Sequence, residues 1–417
     1  MASEIAFDQC VVGAGIIGVT IALKLSEAGQ SVLLVDAKGM GEETSRGNAA
    51  AFAFADVEPL ASPSTLLKSP RWLLDPLGPL SVPPSYALKM APWMMQFARA
   101  CLPAAHAASV KAQAALMELA KQETEPMFEA AGLSHHLRHE GSLYLYEGRT
   151  AFDAAAPVWE LKARHGVEFE PVSGDRLADL QPNLGAAYTH AIHVPRWMTV
   201  SDPFDVTVAL GQNAVERGAT FQRRRIRSIR PDERGVTLAF ADGESVVAKQ
   251  AVIAAGAWSK TLTEMVGDWV PLEAERGYNT TLPPGSFDLK RQLVLPADGY
   301  VITPIEAGIR VGGAAEFAGL HTPPDYRRSD ILLKKSTRVM KGLKTEGGKQ
   351  WMGVRPSMPD TLPVIGRAPS HPRIFYAFGH GHLGLTQSAA TARIIRDLVL
   401  GRPPPIDPQP YRAQRFH

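Results

Sequence analysis

Phe7-Asp8-Gln9-Cys10-Val11-Val12 followed by Gly13-Ala14-Gly15-Ile16-Ile17-Gly18, and then Ser31-Val32-Leu33-Leu34-Val35-Asp36, is the stretch that decides the fold. The first six residues read as a buried parallel strand. The next six match G-x-G-x-x-G and open an amphipathic helix from Ile16 to Glu27, stopped by Ala28-Gly29. The last six read as a second buried strand ending on an acid. Strand, helix and strand in so short a span predict a right-handed β-α-β unit that binds a dinucleotide. Gly13 permits the tight turn, Gly15 lets a pyrophosphate reach the backbone, and Gly18 lets helix and strand meet closely. The N–H groups of Ile16 and Ile17 sit at the positive end of the helix dipole. Asp36, with Ala37 behind it, falls where an acid accepts ribose hydroxyls.

Working outward, composition narrows the remainder. The chain has 417 residues, enough for two or three domains. Hydrophobic residues are 45% and charged residues 21%, which excludes a collagen, a coiled-coil rod and a disordered chain. Net charge is +2, so no basic excess points to nucleic acid. Two cysteines, Cys10 and Cys101, are too few for a disulfide framework or a zinc cluster, and no metal site is expected. The N-terminal Met-Ala-Ser-Glu lacks the basic region of a secretory signal, and the expectation is a cytoplasmic protein. The apolar run from Cys10 to Leu25 is interrupted by glycines and is too short to span a bilayer.

Residues 59–84 are rich in Pro, Ser and Leu and read as an irregular excursion. Tyr86 to Ala131 reads as helical, with breaks at Pro92, Pro103 and Pro126, and Phe152 to His165 as one helix. Gly141–Tyr146 alternates as a strand. Asp202-Pro203 reads as an N-cap with proline in the first turn of a helix ending at Arg217-Gly218. Strands are expected over 221–229, 236–240, 245–247, 251–256, 300–303 and 309–312. A last helix is expected from Ser388 to Leu400, followed by an extended Pro-rich tail. Arg223-Arg224-Arg225, with Arg227 and Arg230, reads as a solvated strand face. Leu88–Arg99 is apolar with basic neighbours; it suits core packing, or a peripheral contact with the inner face of a membrane.

The glycine motif does not separate one dinucleotide from another. Two later stretches bear on it. Thr44-Ser45-Arg46-Gly47-Asn48-Ala49 is small and polar and suits a second cofactor segment. Ala251–Ser259 ends a buried strand in Ala254-Ala255-Gly256, where backbone can pack close to an adenosine. With these and with Arg276-Gly277-Tyr278, Val311–Glu316, Trp351-Met352-Gly353-Val354-Arg355-Pro356 and Gly379–Thr386, the chain resembles the FAD-dependent D-amino acid oxidase superfamily. It is most similar to the D-amino acid dehydrogenase branch, including D-hydroxyproline dehydrogenases. The motifs fall in the family's order over nearly the whole chain.

The resemblance implies an α/β (α+β) flavoprotein with a Rossmann-like FAD-binding domain and a mixed-sheet substrate domain. The expected division is 1–58, 202–270 and 350–417 for FAD and 59–201 with 271–349 for substrate. It implies non-covalent FAD and oxidation of an amine-bearing carbon beside a carboxylate, with electrons passed to a quinone or another acceptor. Thr44, Ser45, Asn48, Ala49, Ala255, Gly256, Gly353 and Arg355 are the cofactor-side residues it adds. Gly381, His382, Leu383, Gly384, Leu385 and Thr386 form a glycine-rich loop leading into the last helix, whose N–H groups would stabilise negative charge on reduced flavin. Arg355 is the expected handle for the substrate carboxylate, since a planar guanidinium matches it bidentately. Tyr278 and Tyr300 are candidates to close the pocket, or half-core tyrosines. His380 and His382 are candidate polar groups at the substrate, or structural histidines.

The chain departs from the family at His190–Pro203, where general D-amino acid dehydrogenases carry an acidic stretch and this chain has only Asp202. That points to a specialised substrate such as D-proline or hydroxy-D-proline. An oxygen-using amine oxidase of the D-amino acid, glycine or sarcosine type is the alternative enzyme, and a non-catalytic flavin subunit of a larger complex the alternative of another class.

Overall fold

The structure, a computed structural model, describes residues 5–73 and 80–416. Strands Phe7–Val12 and Val32–Asp36 run parallel, joined by helix Ile16–Glu27, as the opening stretch predicts. They lie in an eight-stranded sheet whose main order is 220–223, 32–36, 7–12, 245–253, 236–240, 226–231. The regions expected as separate strands at 245–247 and 251–256 form one strand, Ser245–Ile253. Its pairing with the first strand runs from Phe7 opposite Ala248 to Val12 opposite Ile253, which carries the backbone through polar Lys249 and Gln250. Its other edge takes 236–240 antiparallel along the first half and Ile374–Phe378 parallel along the second.

Helix 16–27 is not amphipathic. Its buried residues run from Ile16 to Leu23 and include Leu25 and Ser26. It is packed between the sheet and helices Pro203–Glu216 and Gly384–Val399, so it has no solvated face. The one hydroxyl in its middle, on Thr20, donates back to the Ile16 carbonyl at 2.8 Å. A Cβ added at Gly18 would lie 1.8 Å from the Gly13 carbonyl oxygen, so the helix touches the turn through bare backbone.

A second sheet of nine strands has the order 349–357, 273–282, 308–317, 300–305, 292–295, 142–147, 188–194, 170–173 along its main path. Two segments sit differently from the expected division. Strand Lys349–Ser357 pairs in this second sheet, against Glu273–Leu282. Helix Pro103–Ala130 buries Leu116, Leu119, Met127 and Phe128 in the same core as helix 16–27.

The proline readings need correction as well. Pro92 and Pro126 lie inside helices Pro84–Ala100 and Pro103–Ala130, and the chain breaks only at Cys101-Leu102. An internal proline costs about 3 kcal/mol of helix stability. Burial of Met90 and Trp93 in one helix, and of Met127 and Phe128 in the other, offsets it. Elsewhere on helix 84–100, Leu88 and Met95 are exposed. The supposedly irregular segment 59–84 contains helix Pro63–Leu73, announced by Ser62, whose Oγ accepts the Thr65 N–H. Positions 74–79 of that segment, and the N-terminal Met-Ala-Ser-Glu, lie outside the described residues. The expected helix at 152–165 is two, Gly148–Ala154 and Ala156–Arg164.

Asp202 caps helix 203–216 as expected, its Oδ1 accepting the Phe204 N–H at 2.8 Å. The Pro-rich tail ends in short turns that dock: the Tyr411 hydroxyl donates to Ala112 O at 2.7 Å, and Arg415 pairs with Asp360. Among the described residues no helix is long and apolar enough to cross a membrane.

Gly18→Ala forces a methyl into the Gly13 carbonyl. Overpacking of this kind costs about 1–3 kcal/mol, so the thermal unfolding midpoint should fall; an unchanged midpoint would show that helix and turn are free to separate.

Candidate active site

The C-terminal end of strand 7–12 and the start of helix 16–27 open on a cavity of about 560 Å³. Gly13, Gly15, Ile16, Ile17, Asp36, Ala37, Thr44, Ser45, Asn48, Ala255, Gly256, Gly381, Gly384 and Leu385 line it. Gly18 lies beneath the turn and does not. Asp36 braces the turn from one oxygen, Oδ2 accepting the Ala14 N–H at 2.9 Å, while Oδ1 accepts from Lys38 and Gly39. Arg224 and Arg225, read as solvated strand, also reach this wall.

A second cavity of about 510 Å³ lies against the nine-stranded sheet and shares Thr44, Asn48 and Gly381 with the first. Ala49, Gly353, Arg355, His382 and Leu383 line it, with an apolar wall that includes Trp93, Phe97, Tyr144, Trp197 and Phe317. The 44–53 loop between the cavities is held from all sides. Ser45 Oγ accepts the Ile16 N–H at 2.9 Å. The loop carbonyls are taken by the second sheet: Gly47 O by Asn279 at 3.0 Å, Asn48 O by Arg310 at 2.7 Å, and Ala49 O by Gln292 at 3.3 Å. Thr386 lines neither cavity; its hydroxyl accepts the Ala53 N–H at 3.0 Å and so secures the loop from the last helix.

The alternation of strand 273–282 organises the second cavity. Glu275, Gly277 and Asn279 point toward it. The Arg355 guanidinium lies flat on Gly277, where a Cβ would come within 2.2 Å of Nη2. Arg355 Nη1 donates to Glu275 Oε1 at 2.8 Å and to Ala314 O at 2.8 Å. Ala314 adopts φ 60°, and the pairing register shifts beside it, between Arg276 and Tyr278. His382 Nε2 meets the same Glu275 Oε1 at 2.6 Å, and Ser357 Oγ donates to Oε2 at 2.6 Å. Burial alone would raise the Glu275 pKa. The His382 ring, Arg355 and the Ser357 bond reverse this and hold the carboxyl well below the usual range, so it is ionised. Arg355 Nε and Nη2 make no hydrogen bond among the described residues, which leaves one edge of the fork for a ligand.

Glu275 was missed in the sequence. Its signal is its place two residues before Gly277, on the same strand face as the residues that carry the cavity.

The other face of the strand carries Tyr278, and like Tyr300 on strand 300–305 it is half core and half cavity wall. Tyr278 is 1% exposed and donates its hydroxyl to Glu316, which also pairs with Arg276 at 3.1 Å. Burial and the Glu316 carboxylate push its phenol up to about 12. Tyr300 packs among Leu293, Ile302 and Val339, with its hydroxyl beside Ser336 of helix Arg327–Val339. Both rings reach the cavity wall, but neither hydroxyl faces a ligand. His380 lines the first cavity but is only 3% exposed; its Nε2 pairs with Thr391 Oγ1 at 2.9 Å, and burial pushes it down to about 3. Cys10 and Cys101 line neither cavity, and burial pushes their thiols up to about 12 and about 11.

Residues 8–398 match the FAD dependent oxidoreductase (DAO) family. The chain is 32% identical over 415 residues to a D-amino-acid oxidase of Bradyrhizobium diazoefficiens, covering 97% of this chain and 98% of that one. It is 31% identical over 403 residues to a D-amino acid dehydrogenase of Xylella fastidiosa, covering 94% and 92%. The fold matches glycine oxidase from Geobacillus kaustophilus with a TM-score of 0.76, at 22% identity and 98% coverage of each chain. It also matches L-proline dehydrogenase from P. horikoshii with a TM-score of 0.75, at 18% identity over 99% of this chain and 98% of that one. The chain belongs to the FAD-dependent oxidoreductase family, and its cofactor is FAD. The residues present fit that group: a bare-backbone turn at a helix start, an acid at the end of the second strand, and a second cavity that shares Thr44, Asn48 and Gly381 with the first.

His380 has a linkage consequence. Its folded pKa lies below the ordinary histidine value of 6.5, so the unfolded chain binds the extra proton and stability falls as pH drops from 6.5. His380→Gln should flatten the fall in urea midpoint between pH 7 and pH 5 relative to the parent; equal slopes would mean that His380 is protonated in the folded protein.

Proposed function

We propose that this family member oxidises a D-amino acid to its imino acid, with D-proline or hydroxy-D-proline preferred. One observation carries the reading: a guanidinium with an unused edge stands in an apolar cavity that shares Thr44, Asn48 and Gly381 with the wall of the dinucleotide cradle. Bound FAD supplies the hydride acceptor. The protein's part is to fix the α-carbon and exclude water. Arg355 takes the substrate carboxylate through Nε and Nη2. The aromatic wall of Trp93, Phe97, Tyr144 and Trp197 receives an apolar side chain such as a pyrrolidine ring. The D-configuration follows the two relatives with full-length matches.

The FAD would lie non-covalently, its diphosphate at Gly13, Gly15, Ile16 and Ile17, its ribose at Asp36, and its ring between Ala49, Gly353 and the Gly381–Leu385 loop. The inertness and position of both cysteines support this. We assign the eight-stranded sheet with its helices to FAD and the nine-stranded sheet to substrate. The electron acceptor is proposed to be a quinone, after the dehydrogenase relative; the oxidase relative makes oxygen the rival, and hydrogen peroxide formation would favour it. Exposed Leu88 and Met95 beside Lys89 and Arg99 would suit a peripheral contact with a quinone-bearing membrane.

Arg355→Lys keeps the charge and loses the fork. A hydrogen bond to a charged group contributes about 1.5–3 kcal/mol, so loss of one or two should raise KM by tenfold or more and slow flavin reduction, with flavin content near that of the parent. Unchanged KM and rate would make Arg355 structural; loss of flavin would move it to the cofactor site.

A further inference from the structure

Glu275 is a buried carboxylate that grips two cavity groups at once, and amino acid binding alone does not require it. As an ionised carboxylate it can only accept hydrogen bonds. Arg355 Nη1 and His382 Nε2 must therefore both donate to Oε1. This places a His382 proton on Nε2, so that whenever the ring carries one proton its lone pair is on Nδ1. Nδ1 has no hydrogen bond among the described residues, and the side chain is 40% exposed at the cavity.

We infer that Glu275 is a positioning residue that makes Arg355 and His382 a paired receiver for a zwitterionic amino acid, the free edge of Arg355 taking the carboxylate and His382 Nδ1 taking a proton from the ammonium. An α-amino acid carries these two groups on one carbon, and the two donors to Glu275 Oε1 stand side by side to match. A protonated amine has no lone pair from which to form C=N. When one ammonium N–H bond breaks, its electron pair stays on nitrogen and its proton forms the new N–H bond at Nδ1. That pair becomes the C=N bond as the α-hydrogen leaves with its electrons to FAD, the oxidant. The imidazolium so formed is stabilised by Glu275 at 2.6 Å. Ser357 and Arg355 hold Glu275 in place meanwhile. The other charged groups at the cavity are engaged elsewhere: Asp56 with Lys162 and Tyr144, and Arg310 with the Arg46 and Asn48 carbonyls.

The inference rests on the amino acid oxidation proposed above, and its test separates the two. Nitrogen-15 NMR of the histidine-labelled holoprotein, with the His382 signals assigned by their loss in His382→Gln, should show the proton on Nε2 in the parent and a mixed or altered tautomer in Glu275→Gln. A parent ring protonated on Nδ1 alone overturns the inference whatever the substrate. Acetate, a carboxylate without an ammonium, is then titrated against the visible flavin band. Its Kd should weaken at least tenfold in Glu275→Gln and stay within threefold in His382→Gln. In anaerobic mixing with D-proline, His382→Gln should be reduced about 100-fold more slowly than the parent at pH 7, in line with general base catalysis. Its rate should return to within tenfold once the pH exceeds the substrate's own ammonium pKa. A His382→Gln rate equal to the parent's at pH 7, or one depressed equally at every pH, defeats the proton-acceptor role while leaving the oxidation reading intact. A parent protein that no D-amino acid reduces defeats the oxidation reading instead. His382 is half exposed, so its variant folds even where Glu275→Gln does not.

Discussion

The whole arrangement hangs on one close approach of bare backbone. The turn at Gly13 meets Ala254 at the end of strand 245–253, and the helix meets that turn at Gly18 with no side chain between them. These contacts set the start of helix 16–27 at the open end of the sheet, where its first turn lines the cavity. The Ile16 N–H then reaches Ser45, and from Ser45 the 44–53 loop crosses to the second sheet, where Asn279, Arg310 and Gln292 take its carbonyls. The two cavities thereby share one loop, whose Thr44 and Asn48 line both.

Charge is handled differently on the two faces of strand 273–282. On the outer face, Glu316 pairs with Arg276 and accepts from the Tyr278 hydroxyl, and Arg276 also donates to the Pro323 and Thr322 carbonyls. On the cavity face Glu275 neutralises Arg355 from one side only. Removing one partner from a buried pair costs about 3–5 kcal/mol, so both pairs are held firmly in place. The difference lies in geometry: the guanidinium on the cavity face rests on Gly277 and keeps an edge unspent.

The β-α-β unit was legible because its signals are local: apolar runs, glycine spacing and a terminal acid lie within thirty-six residues. The 203–216 helix was legible for the same reason, through Asp202-Pro203. The homogeneous burial of helix 16–27 was not, because it depends on helix 384–399, far along the chain. Pro92 and Pro126 misled because tertiary packing outweighs a local propensity penalty. At the site, Arg355 and His382 were singled out by motif, whereas pocket and half-core stayed open for Tyr278 and Tyr300 because a motif does not reveal strand phase. Glu275 was passed over because an acid on a strand carries no mark of burial until Arg355, Ser357 and His382 converge on it from distant segments.

The central claim is that the two neighbouring cavities hold FAD and an amino acid of D-configuration. Anaerobic titration of the purified flavoprotein with paired D- and L-amino acids, followed by the visible flavin band, tests it most directly. The account predicts bleaching by D-isomers, with D-proline or hydroxy-D-proline fastest, and little or none by their L-isomers. Bleaching by L-proline or sarcosine in preference to every D-amino acid, or a flavin that no amino acid bleaches, would contradict it.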